Sequence, residues 1–409
     1  MQVREAGKPS LLRAINLRAI FDLVHADGPV GAPQVVRRSG LSRPTVADVI
    51  SQLLDLELIE KVGRTSGSPG PTAQLYDVNP RAGWVLSIDV GREWCRAALS
   101  DLGGTRVARA ASPTAPSSTA ALIAQLRQLA DRLTSEAGIT LSHVDQIVMG
   151  IPGVIGQGED HLSLAPNFPG LEAPSAISDI QAALVSPIVF ENDVNLAAVG
   201  EHVQGVARGV DDFVLISVGN GVGMGVILDG GLRHGATGLA GEIGYLALDM
   251  AGDIDLDGTR PGPVWGAGKF EALVSADGVL AQARDAGLAD VRRAVDVFDA
   301  ARAGDQLARR LVDLEARRLA HAIAAVAAVL DPGLVVLGGG IGTGAGDLLL
   351  PAIAEALPAI SPFSPRLAIS ALGADAVIAG ASAIGLRLAM DCIFERAAAS
   401  NLPSAAAGR

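Results

Sequence analysis

The chain has 409 residues, 49% of them hydrophobic, 19% charged and 3% aromatic, with a formal net charge of -12. That length exceeds one hydrophobic core and predicts roughly two to four units. The apolar content predicts a soluble globular protein, and the scarcity of aromatic rings excludes a stacking platform for single-stranded nucleic acid. The charge is uneven. Residues 1–80 hold nine Lys or Arg against eight Asp or Glu, about +1, which leaves about -13 for the remainder, so contact with a polyanion falls to the N-terminal segment. Two cysteines, Cys95 and Cys392, without CxxC spacing point to a reducing compartment, and the charged start MQVREAGKPS does not read as a signal peptide. The most apolar tract, Ala322 to Ile341, is broken by Asp331, Pro332 and glycines, which argues against a membrane span; a cytoplasmic protein is expected.

Apolar residues recur at helical spacing from Ser10 to Ala26, until Gly28-Pro29 ends the pattern. A short helix fits Ala32 to Ser39, Gly40 turns the chain, and Ser42 caps a third helix through Thr45, Val46, Val49, Ile50, Leu53 and Leu54. Short helix, glycine turn and longer helix is the helix-turn-helix arrangement, whose second member enters a major groove. Leu58 to Val62 and Gln74 to Val78 read as strands around a wing, GRTSGSPGPTA. Arg37, Arg38, Arg43, Lys61 and Arg64 fall on or beside these elements, where phosphate contacts would lie. Ser42, Arg43 and Thr45 open the recognition helix, and Arg43 and Thr45 are the expected base or phosphate contacts. Because the segment is nearly neutral, a three-helix interaction module without DNA contact is the competing reading.

After Asn79-Pro80, Trp84 to Asp89 is a strand running into Val90-Gly91 and forming a hairpin with Trp94 to Leu99. Ser112 to Thr119 is a polar loop, Ala120 to Glu136 an amphipathic helix, and Gln146 to Gly150 a buried strand leading into Ile151-Pro152-Gly153. The stretch VFENDVNL, Val189 to Leu196, ends another buried strand and sets Glu191, Asn192 and Asp193 in a row before an Ala-rich helix starting at Leu196. Ligands bind where the strands of α/β sheets end, and a carboxylate beside an amide suits the hydroxyls of a polyol. An Asn-Asp pair there also serves as a plain helix cap, and the stretch alone supports both readings. Phe213 to Val218 is a strand followed by glycines 219, 221, 223 and 225, which allow close approach to a ligand phosphate. A long helix, Asp305 to Leu330, feeds the strand Leu334 to Leu337 and GGGIGTGAG, a unit of the kind that takes anions at a helix N-terminus. A final strand and turn precede a helix from about Ala376 to Phe394, and the Ala/Ser-rich tail, residues 397–409, is expected to be disordered.

APNFPGL at Ala165 to Leu171, ENDVNLAA at Glu191 to Ala198, LAGEIGY at Leu239 to Tyr245 and DPGLVVLGGG at Asp331 to Gly340 follow one another in an order and spacing that resembles the ROK family of repressors, open reading frames and sugar kinases. The likeness is to its NagC-like and XylR-like repressor branch and spans about residues 10–395. It implies an α/β fold in which an N-terminal winged helix-turn-helix (1–80) precedes a two-lobed actin/hexokinase-like ATPase fold. Lobe 1 would cover 81–200, with the C-terminal helix 376–396 packing back on it, and lobe 2 would cover 201–375. The resemblance further implies a sugar pocket lined by Asn167, Asn192, Asp193, Glu242, Tyr245 and Glu271, with Asp193 where the kinases keep the base for the accepting hydroxyl. It places a phosphate cradle at Asp89, Gly91, Gly219, Gly221 and Gly223. On the residues alone, Glu271 could equally be an exposed helix residue and Asn167 a turn residue.

Departures from the family pattern shape the expected function. Kinases carry DxGxT where this chain has Asp89-Val90-Gly91-Arg92-Glu93, and a carboxylate beside a triphosphate costs roughly a few kcal/mol at an effective dielectric of about 20. Such a loss lowers affinity more than about a hundredfold, so the cradle reads as vestigial and productive ATP or Mg binding is not expected. Asn220 also replaces a common threonine. Tyr245 stands where relatives carry a zinc-binding histidine, and GPVWGAGK, Gly262 to Lys269, has no thiolate, so no zinc is expected and the loop Leu246 to Lys269 is left to packing, with Trp265 as its candidate anchor. The run SGSPGP lacks the wing arginine of many relatives. The expected protein is a non-catalytic, sugar-responsive repressor that binds palindromic operator DNA as a homodimer, a tetramer being left open, with no membrane partner. An active sugar kinase using Asp193, and a constitutive DNA-binding protein whose sugar lobe is only a dimerisation scaffold, are the alternatives.

Overall fold

A computed structural model describes residues 9–64, 73–114, 118–155, 162–163, 171, 175–247, 268–288 and 290–400. The N-terminal unit consists of α1 (Pro9–Asp27), β1 (Val30–Gly31), α2 (Ala32–Ser39), α3 (Arg43–Asp55), β2 (Ile59–Arg64) and β3 (Gln74–Val78). Gly40 terminates α2, and the Ser42 hydroxyl accepts from the Thr45 N–H to cap α3, with Pro44 in its first turn. Ile20, Phe21, Val24, Val46, Val49, Ile50 and Leu53 close on one another in a core beneath the antiparallel sheet β1-β3-β2. β2 reaches Arg64 rather than Val62, and the wing tip, 65–72, lies outside the described residues.

The next lobe is built from β4 (Trp84–Val90), β5 (Trp94–Asp101), β6 (Arg106–Pro113), α4 (Thr119–Glu136), β7 (Gln146–Ile151), the small ladder β8 (Val154–Ile155) and β9 (Leu162–Ser163), α5 (Ala176–Leu184), β10 (Ile188–Asn192) and α6 (Asp193–Val203). Its sheet runs β10-β7-β4-β5-β6. β6 was not anticipated: its alternating small and polar residues give no apolar run, because it is an edge strand with one half-covered face. The following lobe contains β11 (Phe213–Val218), β12 (Val222–Leu228), β13 (Gly231–Leu232), α7 (Lys269–Val274), α8 (Ala276–Asp285), α9 (Ala294–Arg302), α10 (Gln306–Leu330), β14 (Leu334–Gly338), α11 (Gly339–Gly344), α12 (Gly346–Ile360) and β15 (Arg366–Ile369), after which α13 (Ala376–Ser400) returns to the first lobe. Its sheet, β13-β12-β11-β14-β15, repeats the first: a central opening strand, an antiparallel pair to one side and two parallel strands to the other.

Two helices join the lobes. α6 packs its Ala198 face toward β12, while α13 covers β4 and β7 and crosses α6 at two glycines. A Cβ at Gly380 would sit 1.9 Å from the Leu196 carbonyl oxygen, and one at Gly200 only 2.2 Å from that of Ala376, so no larger residue fits the crossing. By length and composition α13 could cross a membrane, but half of its most apolar window is buried, as in a core helix. It continues to Ser400, beyond the point where the disordered tail was expected to begin; 401–409 lie outside the described residues. The far end of α13 enters the N-terminal core. Met390 and Ile393 are buried there, the Phe394 ring meets Phe21 edge-on at 5.2 Å, and Arg18 of α1 pairs with Asp391 at 2.5 Å while lying 5.3 Å from the centre of the Phe394 ring.

Candidate functional site

The C-terminal ends of the parallel strands β4, β7 and β10 in one sheet and of β11 and β14 in the other open on a cleft between the lobes, the usual place for a ligand in α/β sheets. A cavity of about 320 Å³ there is lined by Asn192, Asp193, Glu242, Tyr245 and Glu271 together with Gly91, Gly219, Gly221 and Gly223. Residues scattered over 180 positions of the chain therefore share one wall system, of a size suited to a small molecule. Asn167 lies outside the described residues.

Local structure explains how each group is held. The helix after β10 begins at Asp193, not Leu196, because the Asn192 Oδ1 accepts from the N–H groups of Val194 (2.9 Å) and Asn195 (3.1 Å) and so nucleates the first turn early. The Asn192 Nδ2 donates to the Gly153 carbonyl at 3.1 Å. Its amide is thus a scaffold for the turn, and Asp193 is the carboxyl that this turn presents to the cavity. Gly241 precedes Glu242 at φ 98°, with its Cβ position 1.8 Å from the Met224 carbonyl oxygen, so only glycine fits. Glu271 is not an exposed helix residue: its Oε2 accepts from the Val222 N–H at 2.9 Å and ties α7 to the start of β12.

The cavity is rich in carboxyl groups that are reluctant to ionise. Burial, followed by the charges of Asp89 and Glu242, pushes the Asp193 carboxyl up to about 7. Burial lifts Asp89 to about 6, against the pull of Arg96, whose guanidinium lies 3.2 Å from its Oδ2. Glu242 is raised by burial and by Glu271, and the Tyr245 hydroxyl is raised by burial and by both glutamates. Such a surface accepts hydrogen bonds from several hydroxyls at once and, with neutral Asp193, can also donate one.

A second cavity of about 530 Å³ is continuous with the first through Gly91, Arg92, Gly219, Asn220 and Gly340. Trp94, Leu280, Phe298 and Ile341 are its apolar lining, and Arg92, Arg96, Arg292 and Arg293 line it together with Glu93 and Asp277. The glycine-shaped cradle would admit a phosphate, but Glu93 is in its wall, and Asp89, which would serve a metal, is committed to Arg96. Among the described residues no group of three or more His, Cys, Asp or Glu could hold a metal ion. Tyr245 lines the cleft, no cysteine occurs in 246–269, and Cys95 and Cys392 lie in β5 and α13. Residues 248–267, including Trp265, are outside the described set.

Sequence reasoning passed over His234 and its pairing with Glu191. His234, beyond β13, sits 2.8 Å from the Oε2 of Glu191, whose Oε1 accepts from the Asn192 N–H and from the buried Asn195 amide, both at 2.9 Å. Glu191 stood in view in VFENDVNL, but nothing in the sequence marks His234 as its partner. On the N-terminal unit, Arg37, Arg43, Lys61 and Arg64 are exposed, Arg38 is paired with Asp27, and the Ser42 and Thr45 hydroxyls bond each other at 2.8 Å within the cap.

Comparison with known proteins accords with this architecture. The ROK family profile matches residues 85–386. A glucokinase of Halalkalibacterium halodurans is 31% identical over 316 residues, covering 73% of this chain and 93% of that protein. The xylose repressor of Bacillus subtilis is 25% identical over 257 residues, 59% of this chain and 63% of that protein. A solved ROK family transcriptional regulator, a homologue of the E. coli MLC protein, superposes with a TM-score of 0.74 at 23% identity over 95% of this chain and 100% of that one, a likeness of fold. The chain belongs to the ROK family.

Proposed function

We propose that this protein is a sugar-responsive transcriptional regulator, a repressor that binds operator DNA through its N-terminal unit, residues 1–80, and a sugar or sugar derivative in the cleft between lobes 81–200 and 201–375. The observation that carries this reading is the union, along one helix, of a carboxyl-lined cleft with a winged helix: α13 crosses the helix that begins at Asp193 and ends in the N-terminal core against α1. The xylose repressor and the solved regulator among its relatives support it. One winged helix reads a half-site, so the operator is a palindrome met by a homodimer or a tetramer. A sugar changes DNA affinity only through its different affinity for two arrangements of cleft and head. Glu93 in the cradle and the excess of carboxyls favour a non-catalytic cleft without bound Mg-ATP or zinc.

Sequence-selective retention of a promoter fragment by the purified chain at moderate salt, altered by one member of a panel of hexoses, pentoses and amino sugars, is the expected result. No selective retention under any of these conditions sinks the proposal. The glucokinase relative and the position of Asp193 beside a glycine cradle favour a second reading, a sugar kinase. Turnover of a sugar with Mg-ATP that disappears in Asp193→Asn would establish it instead.

A further inference from the structure

Glu191 belongs to the first lobe and His234 to the second, so their 2.8 Å contact spans the cleft. It lies directly beside the larger acid-lined cavity, around a pocket of about 80 Å³ that shares Gly153 and Asn192 with it. The two ends of α6 are held differently. Near its C-terminus Glu201, fully buried, accepts from the Ser370 hydroxyl (2.6 Å) and the Leu372 N–H (2.9 Å), which ties the helix to the second lobe. At its N-terminus Val194 packs against Gly223 and Gly225 of β12, and the polar link to that lobe among the described residues is the His234 imidazole, 45% exposed against 14% for Glu191. Of the two polar ties, one is buried and the other half-exposed, so the second is the one that solvent and pH can reach.

We propose that Glu191 and His234 form a latch that holds the two lobes together at the mouth of the cleft, with His234 as a positioning residue for the turn that carries Asp193. The Oε1 of Glu191 gathers the Asn192 N–H and the Asn195 amide, so whatever seats this carboxylate also seats the first turn of α6. Burial alone would raise Glu191, but hydrogen bonds from His234 and Asn195 and the imidazole charge hold it below its ordinary value; it stays ionised at neutral pH. His234 is raised by its hydrogen bond to Glu191, against some desolvation, and among the described residues no other ionisable group acts on it. Neighbouring Arg233 turns away to Asp229 and the Leu228 carbonyl. The charged latch is therefore complete below the ordinary imidazole value and is lost as pH rises through the raised one.

Spin labels at Gln128→Cys on α4 and Ala303→Cys at the end of α9, in a Cys392→Ser background of the full chain, report the separation of the lobes by pulsed dipolar spectroscopy. Between about pH 5.5 and 8.5 the distribution should move to separations longer by several ångströms in the parent protein. In His234→Ala it should be long and broad throughout. In His234→Gln, which keeps a neutral donor, it should no longer depend on pH. Identical distributions for parent and His234→Ala at every pH overturn the latch, as does a pH response that survives in His234→Gln. No sugar or DNA enters the measurement, so failure of the latch leaves the regulator reading standing, and failure of that reading leaves the latch intact.

Discussion

Asp193 is a carboxyl that the folded chain prefers to keep protonated. Its folded value, about 7, lies above the ordinary 3.8, so the stability linked to its proton is fully present below the ordinary value and is lost as pH rises through about 7. Asp193→Asn, which mimics the neutral form, should therefore melt higher than the parent at pH 8, with the gap closing as pH falls toward 5; a constant gap, read by thermal melting, would mean that Asp193 ionises freely. On the N-terminal unit, Arg43 is exposed at the first residue of α3 with no ion-pair partner among the described residues. If this unit reads operator DNA as proposed, truncation to Ala should weaken specific binding by about 1–3 kcal/mol, tenfold or more, in a titration at fixed salt. At this scale the sequence exposed groups that lie close together in it, Asn192, Asp193 and the α3 cap, because a strand tip and a helix cap are local. It hid His234, since 43 positions and two different sheets separate it from Glu191.

The helices with long apolar periodicity, α1, α3, α4 and α10, were legible to within a residue or two, because their buried stripes are wide and their caps are explicit. β6 and the start of α6 were not. The first is an edge strand without an apolar run, and the second is advanced by the Asn192 side chain rather than by hydrophobic pattern. Nor does the sequence show why Gly200 and Gly380 are glycines; only the crossing of α6 and α13 explains it. Gly380→Ala places a methyl group against the Leu196 carbonyl and should cost about 1–3 kcal/mol or more through forced separation of the helices. Chemical denaturation should register that loss, and a neutral result would mean that the crossing is looser than the backbone geometry requires.

Across the whole molecule, the repeated strand order of the two sheets was invisible in the sequence, since the hairpins β5-β6 and β12-β13 share no motif and the duplication exists only in hydrogen-bonded topology. The same holds for the docking of α13 against α1, which joins residues 373 positions apart through Arg18 and Asp391. If cleft and head communicate along this helix, Arg18→Ala should leave the thermal stabilisation by an effector sugar unchanged while shrinking the effect of that sugar on DNA affinity several-fold. Melting curves and DNA titrations of the same preparation separate the two responses.

Because Met390 and Ile393 are buried in the same cluster as Phe21, Val46 and Ile50, the N-terminal unit is completed by the far end of α13. A fragment cut after residue 80 begins with a void where those side chains belong, whereas trimming the last helix before Met390 loosens the N-terminal unit from the opposite end of the polypeptide.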